Sequence, residues 1–526
     1  MGSATAGTHD PPQRAERLAV VAVGAALFTW RLLELSRHGE PVGVDFANFA
    51  RIAQSWTGAV DLGGVVYPPI VPALVAAVRW VAGDVWASRL LQAGAGVAPA
   101  FGVWIATRPH VRARWAAGAA LALGVSTATS AAVAWGGTPQ LLALGVMPVA
   151  VGAATHWTEH PSRRMALRCG ALATIVGLIS TLILVAVAVA VTIALALALI
   201  DRRWRWVTGA GWACAPLVVL APWYLPIVSR QRLPAGRATA VRGITSVDGV
   251  LGMPRPIWVV AFAIAFVGCA TAWTYRERAP HTELWRTLTA LMVAAIASLA
   301  LTELRAVYIV PSCLAVAICG LSFSTAFRGV TTVGSPLTRQ FAARAPAIVL
   351  VVLQALLVWM VVVAPSRMRS STEAFSAFTP EGTIRAVGWL DQHVRSTDRV
   401  LAASVEGVPT GWWLEAHGTD AIVSSGVDWL FFESERDEAV LADGLLGAGQ
   451  WPTGADLERL RSCSVNWVFL PRGWDGSSRR AIDAAVAAGG IEIEFTAGRT
   501  VIVRVLDDSA RLLSPDACAA AFISSR

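Results

Sequence analysis

The chain has 526 residues, of which 55% are hydrophobic and 15% are charged, and its mean hydropathy is +0.56. A soluble globular protein has about 25% charged residues, so this composition excludes a chain built only of soluble domains. The net charge of +8 does not indicate a nucleic-acid partner, because most arginines cluster at the ends of apolar segments, where membrane topology explains them. We therefore predict a polytopic α-helical membrane protein that contacts membrane lipids and binds no nucleic acid.

A polar N-terminal tail, residues 1–17, precedes the first apolar block. Apolar blocks long enough to cross about 30 Å of hydrocarbon then recur along the chain. They predict about eleven transmembrane helices within 18–364, near 18–35, 85–107, 114–134, 139–155, 169–181, 183–200, 206–225, 256–273, 287–303, 307–323 and 346–364. The block 169–200 is divided near Ser180 because it is too long for one ordinary span.

Arginine clusters fall on alternate loops, around residues 14–17, 108–114, 163–168, 202–205, 276–286 and 328–344. The positive-inside rule places these loops in the cytoplasm, so the N-terminus is cytoplasmic and the part after residue 364 lies outside. We predict a multi-pass protein of the plasma membrane. The segment 70–83 is apolar but short and contains Arg79, which predicts a re-entrant or interfacial helix within a first outer loop, 36–84.

Two acidic residues of this first outer loop are candidates for catalysis. Apolar residues recur at helical spacing over 46–56, which predicts a short amphipathic helix along the membrane surface. Asp45 directly precedes that helix, and Glu40 lies five residues earlier. An acidic side chain here suits a general base that removes a proton from an acceptor hydroxyl, or a ligand for a divalent cation bound to phosphate. Alternatively, Asp45 is the N-cap of the helix, and the two roles are compatible.

Cationic and phenolic residues on the outer side form a second group of candidates, because a guanidinium binds phosphate with two parallel hydrogen bonds. Four of them lie in the loop 226–256, on the side where positive charge is normally sparse. In chain order, the group consists of Arg89, Arg230, Arg232, Arg237, Arg242, Arg305 and Tyr308. The alternatives are a solvated loop and ordinary interfacial anchoring of Arg and Tyr.

Beyond residue 364, charged residues appear throughout, and short β-rich runs alternate with helical ones. We predict an extracytoplasmic α/β domain over 365–526, with strands at 399–403, 421–424, 466–470, 491–496 and 500–505. Helices are predicted at 379–393, capped by Thr379, and at 435–446, 455–463 and 478–488. The domain lacks a phosphate-binding loop and a nucleophile elbow, which favours a lid or recognition domain. Cys463 and Cys518 are candidates for a disulfide.

Several motifs follow one another in an order that resembles the GT-C superfamily of polytopic glycosyltransferases. They are GVDFANFARIAQ from Gly43, the Tyr67-Pro68-Pro69 triplet, WASRLLQAGAG from Trp86 and LRAVYIVP from Leu304. The resemblance implies a GT-C-like transmembrane domain and an inverting transfer of sugar from a polyprenyl-phosphate donor to a glycan, lipid or protein acceptor of the cell envelope.

The resemblance also implies roles for individual residues. Asp45 would be the general base or would position the acceptor, and Glu40 would be a secondary acidic residue. Tyr67 and the cationic group above would bind the substrate. Phe46 follows Asp45 where many members carry a second acid, and the turn 135–140 has no acidic residue, so the need for a divalent cation stays open. Alternative functions are a polytopic transporter or lipid flippase, and a non-catalytic cell-envelope scaffold.

Overall fold

The computed structural model of the chain describes residues 11–43, 45–58, 67–111, 113–201, 203–230, 282–301, 336–395, 398–405, 408–419, 421–424, 441–442, 445–446, 454–473 and 475–506. Helices dominate the first part of the chain. They are α1 (Pro11–Leu35), α2 (Asp45–Ser55), α3 (Ile70–Thr107), α4 (Ala113–Gly124), α5 (Thr127–Trp135), α6 (Thr138–Glu159), α7 (Arg163–Ile179), α8 (Thr181–Ile200), α9 (Ala210–Cys214), α10 (Ala221–Arg230), α11 (Thr282–Leu301) and α12 (Pro336–Ser376).

The apolar helices confirm a polytopic α-helical membrane protein. Within the described residues, five helices are long and apolar enough to cross a membrane, and the pair α4 and α5, bent by 44°, makes a sixth if it counts as one span. The predicted spans 256–273 and 307–323 lie outside the described residues.

Two helix boundaries that the sequence predicted are present. Gly83 has φ 69° and ψ 172°, so it breaks α3 between the short segment 70–82 and the longer segment 84–107. A positive φ of this kind is tolerated by glycine and strained for other residues. Ser180 has extended backbone angles and ends α7, while its side chain accepts a hydrogen bond from the Ile183 amide and caps α8.

The predicted span 114–134 is bent instead of straight. It is divided at Ser126, whose side chain accepts a hydrogen bond from the Thr129 amide and so starts a new helix, α5. The predicted span 206–225 is present as one of the five apolar helices, Arg205–Leu225, and it alternates between short α and 3-10 segments. Pro216 and Pro222 lie within this stretch, and each lacks the amide hydrogen that a continuous helix requires.

Ion pairs join the helix ends that lie opposite the first outer loop. Arg286 of α11 is buried and binds Glu159, 2.5 Å away at the end of α6, and also Asp201 at the end of α8. Arg108, just after α3, lies 2.5 Å from Glu16 of α1. Arg108 and Arg286, which the sequence predicts to be cytoplasmic, therefore lie on the same side of the helices. The alternation of arginine-rich loops requires this.

The C-terminal part contains a five-stranded sheet of order β2-β1-β3-β5-β4. Its elements are α13 (Thr383–His393), β1 (Arg399–Ala402), α14 (Trp412–Ala416), β2 (Ala421–Val423), α15 (Gly454–Ser462), β3 (Val465–Leu470), α16 (Gly476–Ala487), β4 (Ile491–Ala497) and β5 (Thr500–Val505). The strands β2, β1 and β3 are parallel, whereas β5 runs antiparallel to β3 and β4. The five strand predictions are confirmed to within one residue at each end.

The junction between the two parts differs from the prediction. Helix α12 runs through residue 364 to Ser376, so a continuous helix joins the transmembrane part to the sheet. The predicted cap at Thr379 is wrong, because α13 begins at Thr383 after Gly382, which has φ 90°. The residues 379–382 form a turn in which the Thr383 amide donates to the Pro380 carbonyl, 3.1 Å away. Cys463 takes part in a disulfide, and Cys518 lies outside the described residues.

The crossing of α3 and α6 provides a test of the transmembrane packing. A Cβ atom on Gly102 of α3 would overlap the carbonyl of Gly145 in α6, whereas a Cβ on Gly152 of α6 would meet nothing within 4 Å. We expect Gly102→Ala to lower the unfolding temperature in detergent, because the helices must separate. We expect the control Gly152→Ala to raise stability by about 0.5–1 kcal/mol, because alanine favours the helix more than glycine does. Equal effects of the two substitutions would contradict this packing.

Candidate functional site

Helix α2 carries the candidate base and lies between the transmembrane helices and the C-terminal sheet. It packs against both α3 and α14, and residues 45–53 are all buried. These residues are therefore covered by other parts of the chain, and the position of the amphipathic helix along the membrane surface stays a prediction. The helical spacing predicted the helix itself correctly. Its polar stripe, however, is covered by α14, which lies more than 350 residues later in the chain.

Asp45 is the first residue of α2 and is only 6% exposed. Its carboxyl group therefore lies in the first turn, where the helix dipole favours negative charge. A Cβ on Gly136 would lie 3.5 Å from Asp45 Cβ and 3.5 Å from Gln92 Nε2. The acidic residue of the first outer loop and the glycine turn between α5 and α6 thus meet at one place.

Two buried amide oxygens lie around this turn. Gln92 is 1% exposed, and its Nε2 donates to the Val42 carbonyl at 2.8 Å, while its Oε1 has no hydrogen-bond partner among the described residues. Gln140 is also buried, its Oε1 likewise has no partner in the described part of the chain, and a Cβ on Gly137 would lie 3.5 Å from that oxygen. Both oxygens can accept hydrogen bonds from hydroxyl groups. We did not predict these residues, although glutamines within apolar helices are a signal for function.

The loop that precedes Asp45 is fixed against the same turn by a close backbone contact. Gly43 has φ 88°, and a Cβ on it would overlap the carbonyl oxygen of Trp135. This contact leaves no room for a side chain, so glycine is required here by both conformation and space.

Glu40, the second predicted acid, caps a helix of the C-terminal part. Its Oε1 accepts a hydrogen bond from the Gly382 amide at 2.8 Å, and its Oε2 accepts one from the Ile384 amide at 3.3 Å. These amides belong to the start of α13, where a carboxylate is favoured by the unpaired N–H groups and the helix dipole. Both oxygens accept from backbone amides, which gives Glu40 a capping role, and its catalytic role stays a prediction.

Two predicted substrate-binding residues contact the first outer loop. Arg89 is buried, and its Nη2 donates to the His38 carbonyl and, at 3.4 Å, to the Gly39 carbonyl. Its guanidinium carbon lies 5.0 Å from the centroid of the Trp86 ring. These contacts hold the loop that leads to Glu40 and Asp45. The Tyr67 ring lies 5.3 Å from the Phe49 ring of α2, which places Tyr67 beside the same helix.

The other predicted phosphate ligands cannot be placed at the site. Arg230 is the last residue of α10. Arg232, Arg237, Arg242, Arg305 and Tyr308 lie outside the described residues. Their roles stay predictions. Within the described ranges, no group of three or more His, Cys, Asp or Glu side chains could hold a metal ion, so the divalent cation also stays open.

Sequence reasoning missed the ion pair that joins α2 to α14. Arg51 Nη1 lies 2.9 Å from Glu415 Oε2, and the side chains are 4% and 5% exposed. The Arg51 guanidinium also donates through Nε to Asn48 Oδ1 at 2.8 Å and lies 4.4 Å from the centroid of the Trp412 ring. No local pattern predicts such a pair, because the two residues are far apart in the chain.

A second polar cluster joins the short segment of α3 to the end of α14. Arg79 Nε lies 2.5 Å from Asp84 Oδ1, and Arg79 Nη1 donates to the Ala416 carbonyl at 2.9 Å. His417 Nε2 lies 2.8 Å from Asp84 Oδ2. The C-terminal part is therefore bound to the segment 70–84 as well as to α2.

No protein-family model matches the chain, and no curated protein matches it in sequence. Solved structures are similar in fold. The crystal structure of ArnT from Cupriavidus metallidurans bound to undecaprenyl phosphate is 17% identical, with a TM-score of 0.52, covering 94% of this chain and 99% of that one. The apo state of that ArnT is 16% identical, with a TM-score of 0.52 and coverages of 95% and 100%.

The arabinofuranosyltransferase AftD from Mycobacteria, solved by cryo-electron microscopy as a mutant, is 15% identical with a TM-score of 0.55. The similarity covers 94% of this chain but only 42% of the AftD chain, so this protein spans less than half of AftD. The chain therefore shares its fold with ArnT and with the matched part of AftD, which is the fold expected from the resemblance noted in its motifs.

Gly43 and Gly39 offer a matched test of the loop geometry. We expect Gly43→Ala to move the loop away from Trp135 and to displace Asp45, whereas Gly39→Ala meets nothing within 4 Å and should be tolerated. Limited proteolysis of the first outer loop in detergent measures the difference, with faster cleavage in Gly43→Ala alone. Identical cleavage patterns for both variants would contradict the contact.

Glu40 predicts a pH dependence of stability. Burial raises the pKa of Glu40 above its ordinary 4.5, although its hydrogen bonds from Gly382 and Ile384 oppose the shift. The folded chain therefore binds this proton more tightly than the unfolded chain does, and the resulting stability is full below about pH 4.5 and is lost as the pH rises through the folded pKa.

We expect Glu40→Gln, which cannot ionise, to remove this dependence. The unfolding temperature of the variant relative to the unsubstituted chain should therefore rise as the pH increases above about 4.5. Thermal unfolding of both proteins across that range is the measurement. Two curves that stay parallel would rule out a contribution from this carboxyl group.

Proposed function

We propose that the protein is a membrane glycosyltransferase that transfers a sugar from a polyprenyl-phosphate donor to a cell-envelope acceptor with inversion of the anomeric carbon. The observation that carries the proposal is the position of Asp45. This carboxyl group lies buried in the first turn of α2, beside Gln92 and the Gly136 turn, in a chain with the GT-C fold.

The similar structures support the donor class. ArnT was solved with undecaprenyl phosphate bound, and AftD is named as an arabinofuranosyltransferase. A polyprenyl-phosphate sugar also fits a reaction at the outer membrane surface, where the activated sugar must come from the lipid phase.

The proposed chemistry follows from the residues around Asp45. The Asp45 carboxylate accepts the proton of an acceptor hydroxyl as that oxygen forms a bond to the anomeric carbon. The bond from the anomeric carbon to the phosphate breaks on the opposite face, and the polyprenyl phosphate leaves with the electron pair. The free oxygens of Gln92 and Gln140 accept hydrogen bonds from substrate hydroxyls and help to orient them.

The negative charge that develops on the leaving phosphate requires cations. Arg305 and the arginines at 230, 232, 237 and 242 are the proposed source, with Tyr308 as a further hydrogen-bond donor and Tyr67 beside α2. Fixed positive charge at the point where negative charge develops lowers the barrier to transfer. Arg89 is left out of this group because its guanidinium holds the loop carbonyls of His38 and Gly39.

We further propose that the N-terminus is cytoplasmic and that the first outer loop and the C-terminal part lie outside the cell. The arginines at the helix ends opposite that loop support this orientation. The disulfide at Cys463 also supports it, because disulfides persist in oxidising compartments.

Substitution of Asp45 tests the function. We expect Asp45→Asn to fold and insert normally but to stop sugar transfer, because the amide cannot accept the acceptor's proton. The assay uses vesicles that contain synthetic polyprenyl-phosphate-linked arabinofuranose, mannose or glucose and follows release of polyprenyl phosphate. Full transfer by Asp45→Asn would remove Asp45 from the mechanism, and an Asp45→Ala variant that fails to fold would support a capping role.

A further inference from the structure

The helix that carries Asp45 is held between the transmembrane part and the C-terminal part. All residues from 45 to 53 are buried, yet α2 is only eleven residues long and is flanked by loops. An isolated helix of that length is marginal in water, so its position depends on what packs against it. Its contacts are with α3 on the transmembrane side and with α14 on the other.

Helix α14 is a rigid support because it is fixed to the sheet. Thr410 Oγ1, just before the helix, donates to the Ala403 carbonyl at 2.7 Å. A Cβ on Gly411 would lie 2.6 Å from Ala402 Cβ, so the start of α14 lies directly on the strands. At the other end, the Ala416 carbonyl accepts a hydrogen bond from Arg79.

The contact between α2 and α14 combines charge with aromatic packing. Arg51 forms the buried ion pair with Glu415 at 2.9 Å, and its guanidinium faces the Trp412 ring. One helical turn and a half before Arg51, the Phe46 ring lies 5.8 Å from the Trp413 ring. Phe46 directly follows Asp45, so α14 contacts α2 at both its functional end and its middle.

We infer that Glu415 and Arg51 are positioning residues for the transfer reaction, and that the C-terminal part is thereby a working component of the active site. This inference rests on the proposed function of Asp45. Glu415 binds Arg51, and through Arg51 it acts on the helix that bears Asp45. Helix α14 is held on the sheet, and its contacts with α2 hold α2 in place.

The inference predicts a specific kinetic effect. A base displaced by about 1 Å can lower the rate about a hundredfold, whereas binding of a lipid donor at a separate surface is little affected. We therefore expect Glu415→Ala to lower kcat by about tenfold to a hundredfold, with the KM for the polyprenyl-phosphate sugar close to that of the unsubstituted protein. Glu415→Gln, which keeps an oxygen that can accept from Arg51, should lose less activity than Glu415→Ala.

Hydrogen exchange provides a second measurement that does not depend on transfer. The full-length protein in detergent is compared with its variants for exchange of the backbone amides over 46–55. We expect faster exchange in Glu415→Ala and a return toward the original rate when Arg51→Glu is combined with Glu415→Arg. Asp483→Asn is the matched control, since that carboxylate forms an exposed pair with Arg479 at 3.9 Å in the same part of the chain.

The outcomes separate the inference from the function on which it rests. Faster exchange together with a lower kcat in Glu415→Ala, and neither change in Asp483→Asn, supports the positioning role. Unchanged exchange over 46–55, or unchanged kcat, overturns it. If the unsubstituted protein transfers none of the three sugars, the proposed function fails, and the exchange data still decide whether α14 holds α2. If Glu415→Ala does not fold, the Glu415→Gln and charge-exchange variants decide the question.

Discussion

The buried ion pair between Arg51 and Glu415 is the contact on which the arrangement around Asp45 depends. Removing two charges from water costs several kcal/mol for each ion, and close pairing with further hydrogen bonds offsets that cost. Here the pair is 2.9 Å apart and nearly inaccessible to solvent, with Asn48 accepting a second hydrogen bond from Arg51. Loss of one partner would leave the other buried and unpaired, which typically costs about 3–5 kcal/mol. The transmembrane part and the sheet are therefore energetically coupled at the helix that carries Asp45.

Other charges of the first outer loop serve the same coupling. Glu40 caps α13, Arg89 binds the loop carbonyls, and Arg79 bridges Asp84 and the end of α14. Each of these groups is at least partly buried, and a buried charge is costly unless it is paired or hydrogen-bonded. The loop is thus held along its length by the C-terminal part and by α3, so the region around Asp45 is built jointly by segments that are distant in sequence.

Local patterns in the sequence predicted the local structure well. Hydropathy located the described spans, Gly83 and Ser180 marked breaks, and alternating β-rich runs located five strands. The span 114–134 was drawn too simply because hydropathy does not register a capping serine such as Ser126. The predicted cap at Thr379 failed for a related reason, since a carboxylate from Glu40 and a glycine at 382 determine where α13 starts.

The site was harder to predict because charge alone does not reveal function. The acidic pair Asp45 and Glu40 looked similar in sequence, and only the fold shows that both Glu40 oxygens are occupied by amides of α13. Likewise, only the fold shows that the Arg89 guanidinium donates to the carbonyls of His38 and Gly39. In both cases the deciding contacts come from tertiary structure, which spacing along the chain does not encode.

Two buried glutamines, Gln92 and Gln140, also belong to the candidate site. A buried polar atom left without a hydrogen bond costs about 1–3 kcal/mol. Gln92 and Gln140 each have such an oxygen, and both adjoin the glycine turn beside Asp45. The Gln92 Nε2 donates to the Val42 carbonyl, and this hydrogen bond determines which of the two amide atoms is the oxygen. A hydroxyl-bearing substrate would satisfy these oxygens, so the cost in the unliganded protein becomes binding energy at the place where the proposed base acts.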